Sequence, residues 1–246
     1  MQSDIRYDLT ITGNGSSFGG VFKNVKIVGD AKIDSDLDCL VFKSTGTTEI
    51  TGNMKSTSCH IIGEMYLKGN LETGEAKITG TMDIEGNVKT KKMKSNGEIR
   101  IRGGLAGEDV NLEGLFTIKG NCEAENLHMK GVFTIDGLLN AGSVELKTHS
   151  ECRIKEIGGE KIDIRRGTGS VWKRLLGTFY LPSDFFEGVL HVDTIEGDDI
   201  YVEHTMAKVI RGTNVMIGPG CSIGHVEYTN RFQKTDDSNI GNHTQV

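Results

Sequence analysis

The chain has 246 residues and a formal net charge of -6, with 25% charged and 36% hydrophobic side chains. This acidic balance argues against a broad nucleic-acid-binding surface, which normally needs a basic face. No apolar run is long enough to span a membrane, and the start, MQSDIRYDLTITG, has no apolar signal-peptide core. Glycine is abundant (33 residues) and proline scarce (2 residues), unlike the composition of disordered linkers.

The cysteines are odd in number, far apart and without a CxxC motif. This usage favours reduced, buried thiols in a cytoplasmic protein. The five are Cys39, Cys59, Cys122, Cys152 and Cys221.

Glycines recur with one fixed period in two interleaved series, and a fixed period of this kind indicates a repeat architecture. The first series is Gly29, Gly46, Gly63, Gly80, Gly97, Gly114 and Gly131. The second series is Gly52, Gly69, Gly86, Gly103, Gly120 and Gly137.

Apolar residues follow the same period when the first glycine of each unit is position 0. Three pairs of positions are apolar or small, at 2 and 4, 8 and 10, and 13 and 15, and the spacing of two within each pair is strand periodicity. Three short strands in each repeat of about 17 residues predict one turn of a single-stranded parallel β-helix with a triangular cross-section. Position 4, for example, carries Ile33, Ile50, Leu67, Ile84, Ile101, Ile118 and Ile135.

The glycines are predicted to be structural corners, because a chain that turns between short strands needs a positive φ or room for a close backbone. Asparagines follow the second glycine in register, and stacked asparagines can hydrogen-bond from turn to turn. These residues are Asn53, Asn70, Asn87 and Asn121.

In chain order, residues 1–8 are predicted to be a short tail and residues 9–166 the first part of the β-helix. Residues 167–187 form an aromatic-rich insertion that does not repeat, the β-helix resumes over 188–228, and 229–246 is predicted to be a polar tail. The whole all-β fold would have roughly eleven turns at about 4.8 Å each.

Catalytic, cofactor and metal sites are not predicted. His60 and His128 share position 14 but lie four turns apart, roughly 19 Å, which is too far for a shared ion. The acidic group Asp193, Glu196, Asp198, Asp199 and Glu203 lacks a fixed loop pattern, so a solvated edge is favoured over a cation site. The two GxG stretches lack a third glycine and a βαβ context, which argues against a nucleotide site.

The insertion concentrates aromatic residues beside cationic ones, and two readings remain open. It is either a folded-back cap that buries the rings, or a contact surface for a partner or a membrane. The residues are Arg165, Arg166, Trp172, Lys173, Arg174, Phe179, Tyr180, Phe185 and Phe186.

The two ends of the β-helix are candidate self-assembly surfaces. A solenoid without caps leaves an unpaired strand edge at each end, and such an edge can pair with another copy. Strand-like sequence starts at Leu9, which leaves little material for a cap. The candidate residues are Leu9, Ile11, Phe18, Phe22 and Phe232.

The stacked units GEMYLKGNLETGEAKITG and GTMDIEGNVKTKKMKSNG, within residues 29–147, resemble the bactofilins, polymer-forming cytoskeletal proteins of bacteria, and especially a longer Bacillus type. The resemblance returns weakly in VIRGTNVMIGPGCSIGHVEY (209–228). It implies a right-handed triangular β-helix that polymerises end to end without nucleotide or metal. Typical members are shorter, and some carry a hydrophobic N-terminal membrane-targeting segment that MQSDIRYD does not match.

The leading hypothesis is therefore a non-enzymatic scaffold. It is expected in the cytoplasm, either throughout it or at the inner face of the cell membrane. Its expected partners are further copies of itself, a paralogue, and cell-wall or motility proteins, with no nucleic acid and no cofactor. Two alternatives stay open: a carbohydrate-binding module or enzyme that uses an outer wall, and an adaptor that recruits a partner through residues 167–187.

Overall fold

The computed structural model of the protein describes residues 6–167 and 188–246. Over these residues the chain forms a parallel β-solenoid with about 17 residues per turn and about eleven turns, as the glycine and apolar periods predict. The backbone groups into two compact units, residues 1–120 and 121–246.

In the first unit the chain winds once around the solenoid in each repeat, and each turn pairs in parallel with the next. The register joins equivalent positions, so that Gly46 lies opposite Gly63, and Gly63 opposite Gly80. Its strands are β1 (Tyr7–Ile50), β2 (Met54–Leu67), β3 (Leu71–Ile84), β4 (Val88–Ile101), β5 (Leu105–Ala106) and β6 (Asp109–Ile118).

The second unit keeps the parallel pairing with a less regular period. Val144 lies opposite Ile162, which makes that turn longer than the regular repeat, whereas Ile200 lies opposite Val215, which makes that turn shorter. These unequal turns explain why the sequence pattern slips after residue 148. The strands are β7 (Cys122–Thr148), β8 (Glu151–Arg166), β9 (Val189–Val202), β10 (Thr205–Ile217), β11 (Ser222–Lys234) and β12 (Asn239–Gln245).

The core of each unit consists of the columns that the sequence predicts to point inward. In the first unit, Ile50, Leu67, Ile84 and Ile101 stack in register and are at most 1% exposed. In the second, Ile162, Ile200 and Val215 form an equivalent buried column. Alternating burial along each strand places every second side chain inside, because successive side chains of a strand point to opposite faces.

The two glycine series meet different constraints at the corners. Gly80 adopts φ +125°, and a Cβ there would lie 2.1 Å from the carbonyl oxygen of Gly63, so both conformation and space require glycine. Gly86 has no left-handed φ, but a Cβ would lie 2.6 Å from the Gly69 oxygen. The left-handed φ recurs at Gly29, Gly46, Gly63, Gly97, Gly114 and Gly131, and is absent at Gly52, Gly69, Gly103, Gly120 and Gly137.

The predicted asparagine ladder is present in the first unit. The backbone N–H of Asn70 donates to the side-chain oxygen of Asn53 at 2.9 Å, and that of Asn87 donates to Asn70 at 2.8 Å. The ladder starts at Asp36, whose carboxylate accepts from Asn53 at 2.7 Å, and ends at the N–H of Gly104. Each asparagine therefore satisfies a backbone donor that the corner removes from the strand pairing.

The C-terminal segment differs from the sequence prediction of a polar tail over 229–246. Strand β11 extends to Lys234 and strand β12 pairs with it in parallel, so the solenoid continues to the last residues. The inward positions of this terminal turn mix apolar and polar side chains: Phe232 and Ile240 are half-buried, and the buried Ser238 donates to the Thr235 carbonyl at 2.7 Å. At the other end, strand β1 already begins at Tyr7.

We expect Ile84→Ala to lower the free energy of unfolding by about 2–5 kcal/mol, because the side chain is fully buried between Leu67 and Ile101 and its loss leaves a cavity. Thr79→Ala, at an exposed position of the same strand, is the matched control and should cost less than about 0.5 kcal/mol. Chemical denaturation compares the two variants. An unchanged midpoint for Ile84→Ala would contradict the assigned core register.

We also expect the five cysteines to resist thiol reagents in the folded protein. All are free and buried, and burial disfavours the thiolate, raising the pKa to about 12 at Cys39 and Cys122 and to about 11 at Cys152 and Cys221; the Cys59 pKa is raised as well. At about pH 8 a thiol with a pKa near 11 is roughly one part in a thousand thiolate, the reactive form.

A chromogenic disulfide reagent at about pH 8 measures this protection, with protein unfolded in guanidinium as the reference. Labelling should be slow when folded, fast when unfolded, and faster in the folded protein as the pH rises toward these pKa values. Rapid labelling of folded protein at about pH 8 would show that the core opens.

Candidate assembly edges

The N-terminal turn of the first unit carries an edge to which no described strand pairs. Strand β1 stands at one end of the strand order, and its first turn pairs only with the turn that follows. The backbone N–H and side-chain amide of Asn24 both donate to the Asp8 carboxylate, at 3.2 and 2.8 Å, and Arg6 contacts Asp38 at 2.7 Å. These bonds hold the first turn onto the turns that follow it.

The interior of this first turn is poorly covered. Ile11 is 9% exposed, but no residue from Thr12 to Asn24 is buried. Of the residues predicted to mediate assembly here, Phe18 is 83% exposed, whereas Leu9 and Phe22 are half-buried. The turn therefore leaves apolar surface in water that a further turn would cover.

The N-terminal edge also lacks the charges that commonly protect such edges. Residues 9–22 contain no Asp, Glu, Lys or Arg and no proline, in a chain that is 25% charged. Natural proteins usually place lysine, proline or a bulge on an exposed edge strand, because an unprotected edge pairs with other chains. This segment is thus open to strand addition.

The C-terminal edge of the second unit is formed by the turn that contains strand β12. This strand pairs with β11 on one side and with no described strand on the other. Phe232, predicted from the sequence to take part in assembly, is half-buried and lies 4.9 Å from the His243 ring and 5.3 Å from the Tyr228 ring, centroid to centroid. Residues 238–246 contain no Asp, Glu, Lys or Arg.

Two residues of the predicted partner surface are placed by the structure. Arg165 donates to both carboxylate oxygens of Asp163, at 2.7 and 3.0 Å, and its guanidinium lies 4.6 Å from the centroid of the Tyr201 ring. The backbone N–H of Arg166 donates to Glu203 at 3.4 Å. The other predicted residues, Trp172, Lys173, Arg174, Phe179, Tyr180, Phe185 and Phe186, lie outside the described residues.

Tyr201 and Arg165 form a compact polar cluster with two carboxylates. The Tyr201 hydroxyl donates to Glu203 at 2.6 Å, and burial together with this bond raises the pKa of Tyr201 to about 12. The bond to Asp163 raises the pKa of Arg165. The cluster keeps a neutral phenol and a charged guanidinium in fixed places on the wall of the second unit.

Two of the acidic residues and one of the histidines that the sequence singles out have separate partners. Asp193 pairs with Lys208 at 2.6 Å, Asp199 accepts from Asn214 at 2.7 Å, and His128 contacts Glu145 at 3.0 Å. Across residues 6–167 and 188–246, no group of three or more His, Cys, Asp or Glu has a geometry that could hold a metal ion. The described residues also contain no helix able to span a membrane.

Two residues of the C-terminal edge are not predicted from the sequence. Tyr228 and His243 pack with Phe232 but do not follow the apolar columns, since His243 is polar and Tyr228 falls near a register shift. His243 nevertheless lies opposite the buried Val226, 17 residues earlier, so the repeat period itself was the available signal.

Comparison with known proteins finds close similarity to proteins of Bacillus subtilis (strain 168). No known family model matches the chain. No solved structure matches it either. The chain is 35% identical over 108 residues to the uncharacterized protein YhbF, a match that covers 44% of this chain and 41% of YhbF, so this chain spans less than half the length of that relative.

The similarity to a second protein of the same organism extends over the whole chain. The uncharacterized protein YhbE is 49% identical to this chain over 244 residues, which is 99% of this chain and 100% of YhbE. Identity at this level over a full solenoid requires the same repeats in the same order. The chain therefore belongs to the same family as the YhbE protein of Bacillus subtilis.

Proposed function

We propose that this protein is a bactofilin-like, non-enzymatic scaffold of the bacterial cytoplasm that assembles with further copies of itself through the ends of its β-solenoid. The observation that carries the proposal is the N-terminal turn, which combines an edge to which no described strand pairs, exposed apolar side chains and a charge-free segment from Leu9 to Phe22.

The occupant of this edge is a second copy because the first turn presents the same kind of parallel strand edge through which the turns of the solenoid stack on one another. A solenoid turn stacks on its neighbour through parallel backbone hydrogen bonds, roughly 4.8 Å away, and neither nucleotide nor metal takes part in that pairing. A further turn placed on the edge would cover Phe22 and Ile11 as the second turn covers the first. Peptide recognition by strand addition uses the same bonds.

The C-terminal turn supports the same proposal from the second unit. Its outer strand, β12, is uncharged except for the ionisable His243, and the rings of Tyr228, Phe232 and His243 pack together there; among the described residues no helix covers this end. An aromatic end packs well against the apolar end of another copy.

The assembly would serve as a support for other proteins in cell shape, cell-wall synthesis or motility, which is what the resemblance to the bactofilins implies. A filament repeats each wall of the solenoid along its length, so a partner that binds one copy weakly can bind several copies at once and is held more tightly. A YhbF-like paralogue is a further candidate subunit, since YhbF is similar to this chain over 108 residues.

We expect Phe18→Lys to abolish or strongly shorten the assemblies while the protein stays folded. Phe18 is 83% exposed, so the change costs little folding energy, yet it places a charge at the edge where a second copy would pack. Ile11→Lys, deeper in the same turn, should have the stronger effect. Negative-stain electron microscopy and light scattering, without nucleotide or divalent metal, measure assembly.

Leu115→Lys is the matched control, because Leu115 is an exposed apolar residue (50%) on a wall of the same unit, away from the edge. The control should assemble as the unchanged protein does, and circular dichroism should show β-sheet in all variants. Filaments that persist in both edge variants, or uniform short particles formed by the unchanged protein, would contradict the proposal.

A further inference from the structure

One wall of the first unit carries a column of basic residues that repeats with the same period as the glycines. Position 14 of successive repeats places Lys43 opposite His60, His60 opposite Lys77, and Lys77 opposite Lys94, and Lys26 precedes Lys43 by the same period. The side chains of Lys26, Lys43, Lys77 and Lys94 are exposed. Neighbouring members stand roughly 4.8 Å apart across the parallel strands.

This wall is strongly positive although the whole chain is acidic. The segments that form it, 24–28, 41–45, 58–62, 75–79 and 92–96, contain five lysines and one carboxylate, a surplus of four positive charges with the histidine neutral. The carboxylate, Glu75, pairs with Lys77 at 2.7 Å, which lowers the Glu75 pKa. In the next turn Asp109, which contacts Lys92 at 3.8 Å, and Glu113 end the basic run.

Most of the column is not neutralised within the chain. Lys26, Lys43 and Lys94 form no ion pair with a carboxylate among the residues that the structure describes. Like charges directly opposite each other on paired strands are destabilising. On other walls of the same unit, by contrast, lysine meets acid: Lys55 pairs with Glu72 at 3.1 Å and Lys68 with Glu49 at 3.2 Å.

An exposed β-branched column runs beside the lysines at position 16. Ile62 is 59% exposed and Val28 41% exposed, and Thr45 stands between them in register, with Thr79 after Ile62. The rigid strands hold both columns on one wall, with apolar side chains next to long cationic ones. Lysine stems lie along apolar surface while their ammonium groups reach outward.

We propose that this wall of the first unit is a docking surface for an anionic lipid bilayer. Cationic side chains are attracted to the negative surface potential of acidic lipids, and adjacent apolar side chains enter the boundary between headgroups and acyl chains. A flat row of strands can bring Lys26, Lys43, Lys77 and Lys94 to one plane at the same time. The protein would then lie on the membrane without a spanning segment.

A lipid surface fits this wall better than nucleic acid does. Single-stranded nucleic acids are bound by basic grooves with aromatic stacking platforms, and here the neighbours of the lysines are Val28, Thr45, Ile62 and Thr79. Insertion into a bilayer removes the apolar surface of exposed isoleucine and valine from water and so lowers the free energy, whereas a phosphate backbone offers these side chains no such burial. The inference goes beyond the proposed assembly and does not depend on it, since the wall is complete in one copy.

The test is flotation of the full chain with vesicles of phosphatidylcholine, with or without phosphatidylglycerol. Flotation separates bound protein from self-assembled protein, which sediments. The triple variant Lys26→Gln/Lys43→Gln/Lys94→Gln should bind the anionic vesicles on the order of 100-fold more weakly, since each lysine near an acidic surface is worth roughly fivefold. Binding should also weaken as salt rises, because surface charges are screened.

The matched control is Lys55→Gln/Lys68→Gln/Lys89→Gln, which removes the same charge from other walls of the same unit. It should bind within about threefold of the unchanged protein. Ile62→Ser should weaken vesicle binding on the order of tenfold without changing binding to double-stranded DNA, a soluble polyanion. Both triple variants should still assemble when viewed by electron microscopy, and the Phe18→Lys protein should still float with anionic vesicles. A failure of the membrane proposal can therefore be distinguished from a failure of the assembly proposal.

Three outcomes would overturn the inference. They are no flotation with anionic vesicles at low salt, equal loss of binding in the two triple variants, and binding to DNA without binding to vesicles. The last outcome would assign the column to nucleic acid instead.

Discussion

Parallel stacking of turns in one repeated register is the constraint on which the rest of this structure depends. Each turn hydrogen-bonds to its neighbours through backbone groups, so every residue lies directly over its equivalent, as Gly80 does over Gly63. A residue type repeated at one position therefore becomes a continuous column. The glycine corners, the isoleucine core and the asparagine ladder are three such columns, each solving the same local problem once per turn.

The same stacking makes the ends chemically different from the middle. A turn within the stack has all its backbone groups paired, whereas a terminal turn leaves one edge open. The chain closes its C-terminal end with the rings of Tyr228, Phe232 and His243, and it leaves the N-terminal turn short of both core and charge. Under the proposed function, assembly would use these terminal edges, and the walls would remain available for other partners.

Stacking also turns modest local charge into an extended field. One lysine on a turn is an ordinary solvated residue, but Lys43, Lys77 and Lys94 in one column, with His60 between them, form a line of positive charge. The wall with Lys55 and Glu72 alternates signs and carries no such field. Membrane association would thus use a wall of the solenoid, whereas end-to-end growth would use its terminal edges. A filament would carry many copies of the wall, so weak contacts between each copy and the membrane would add up.

The sequence by itself determined the features that repeat locally: the period, the inward columns, the corner glycines and the asparagine ladder. These follow from strand alternation and from the conformational freedom of glycine, which act within a few residues. Only the tertiary structure decided the features that depend on a position at the end of the solenoid or on a change in the register between turns. Residues 229–246 fold as a turn, although their polar sequence predicts a tail, because a neighbouring turn supplies the pairing. The contact of Arg165 with Tyr201 joins turns that the sequence separates by the residues of the insertion.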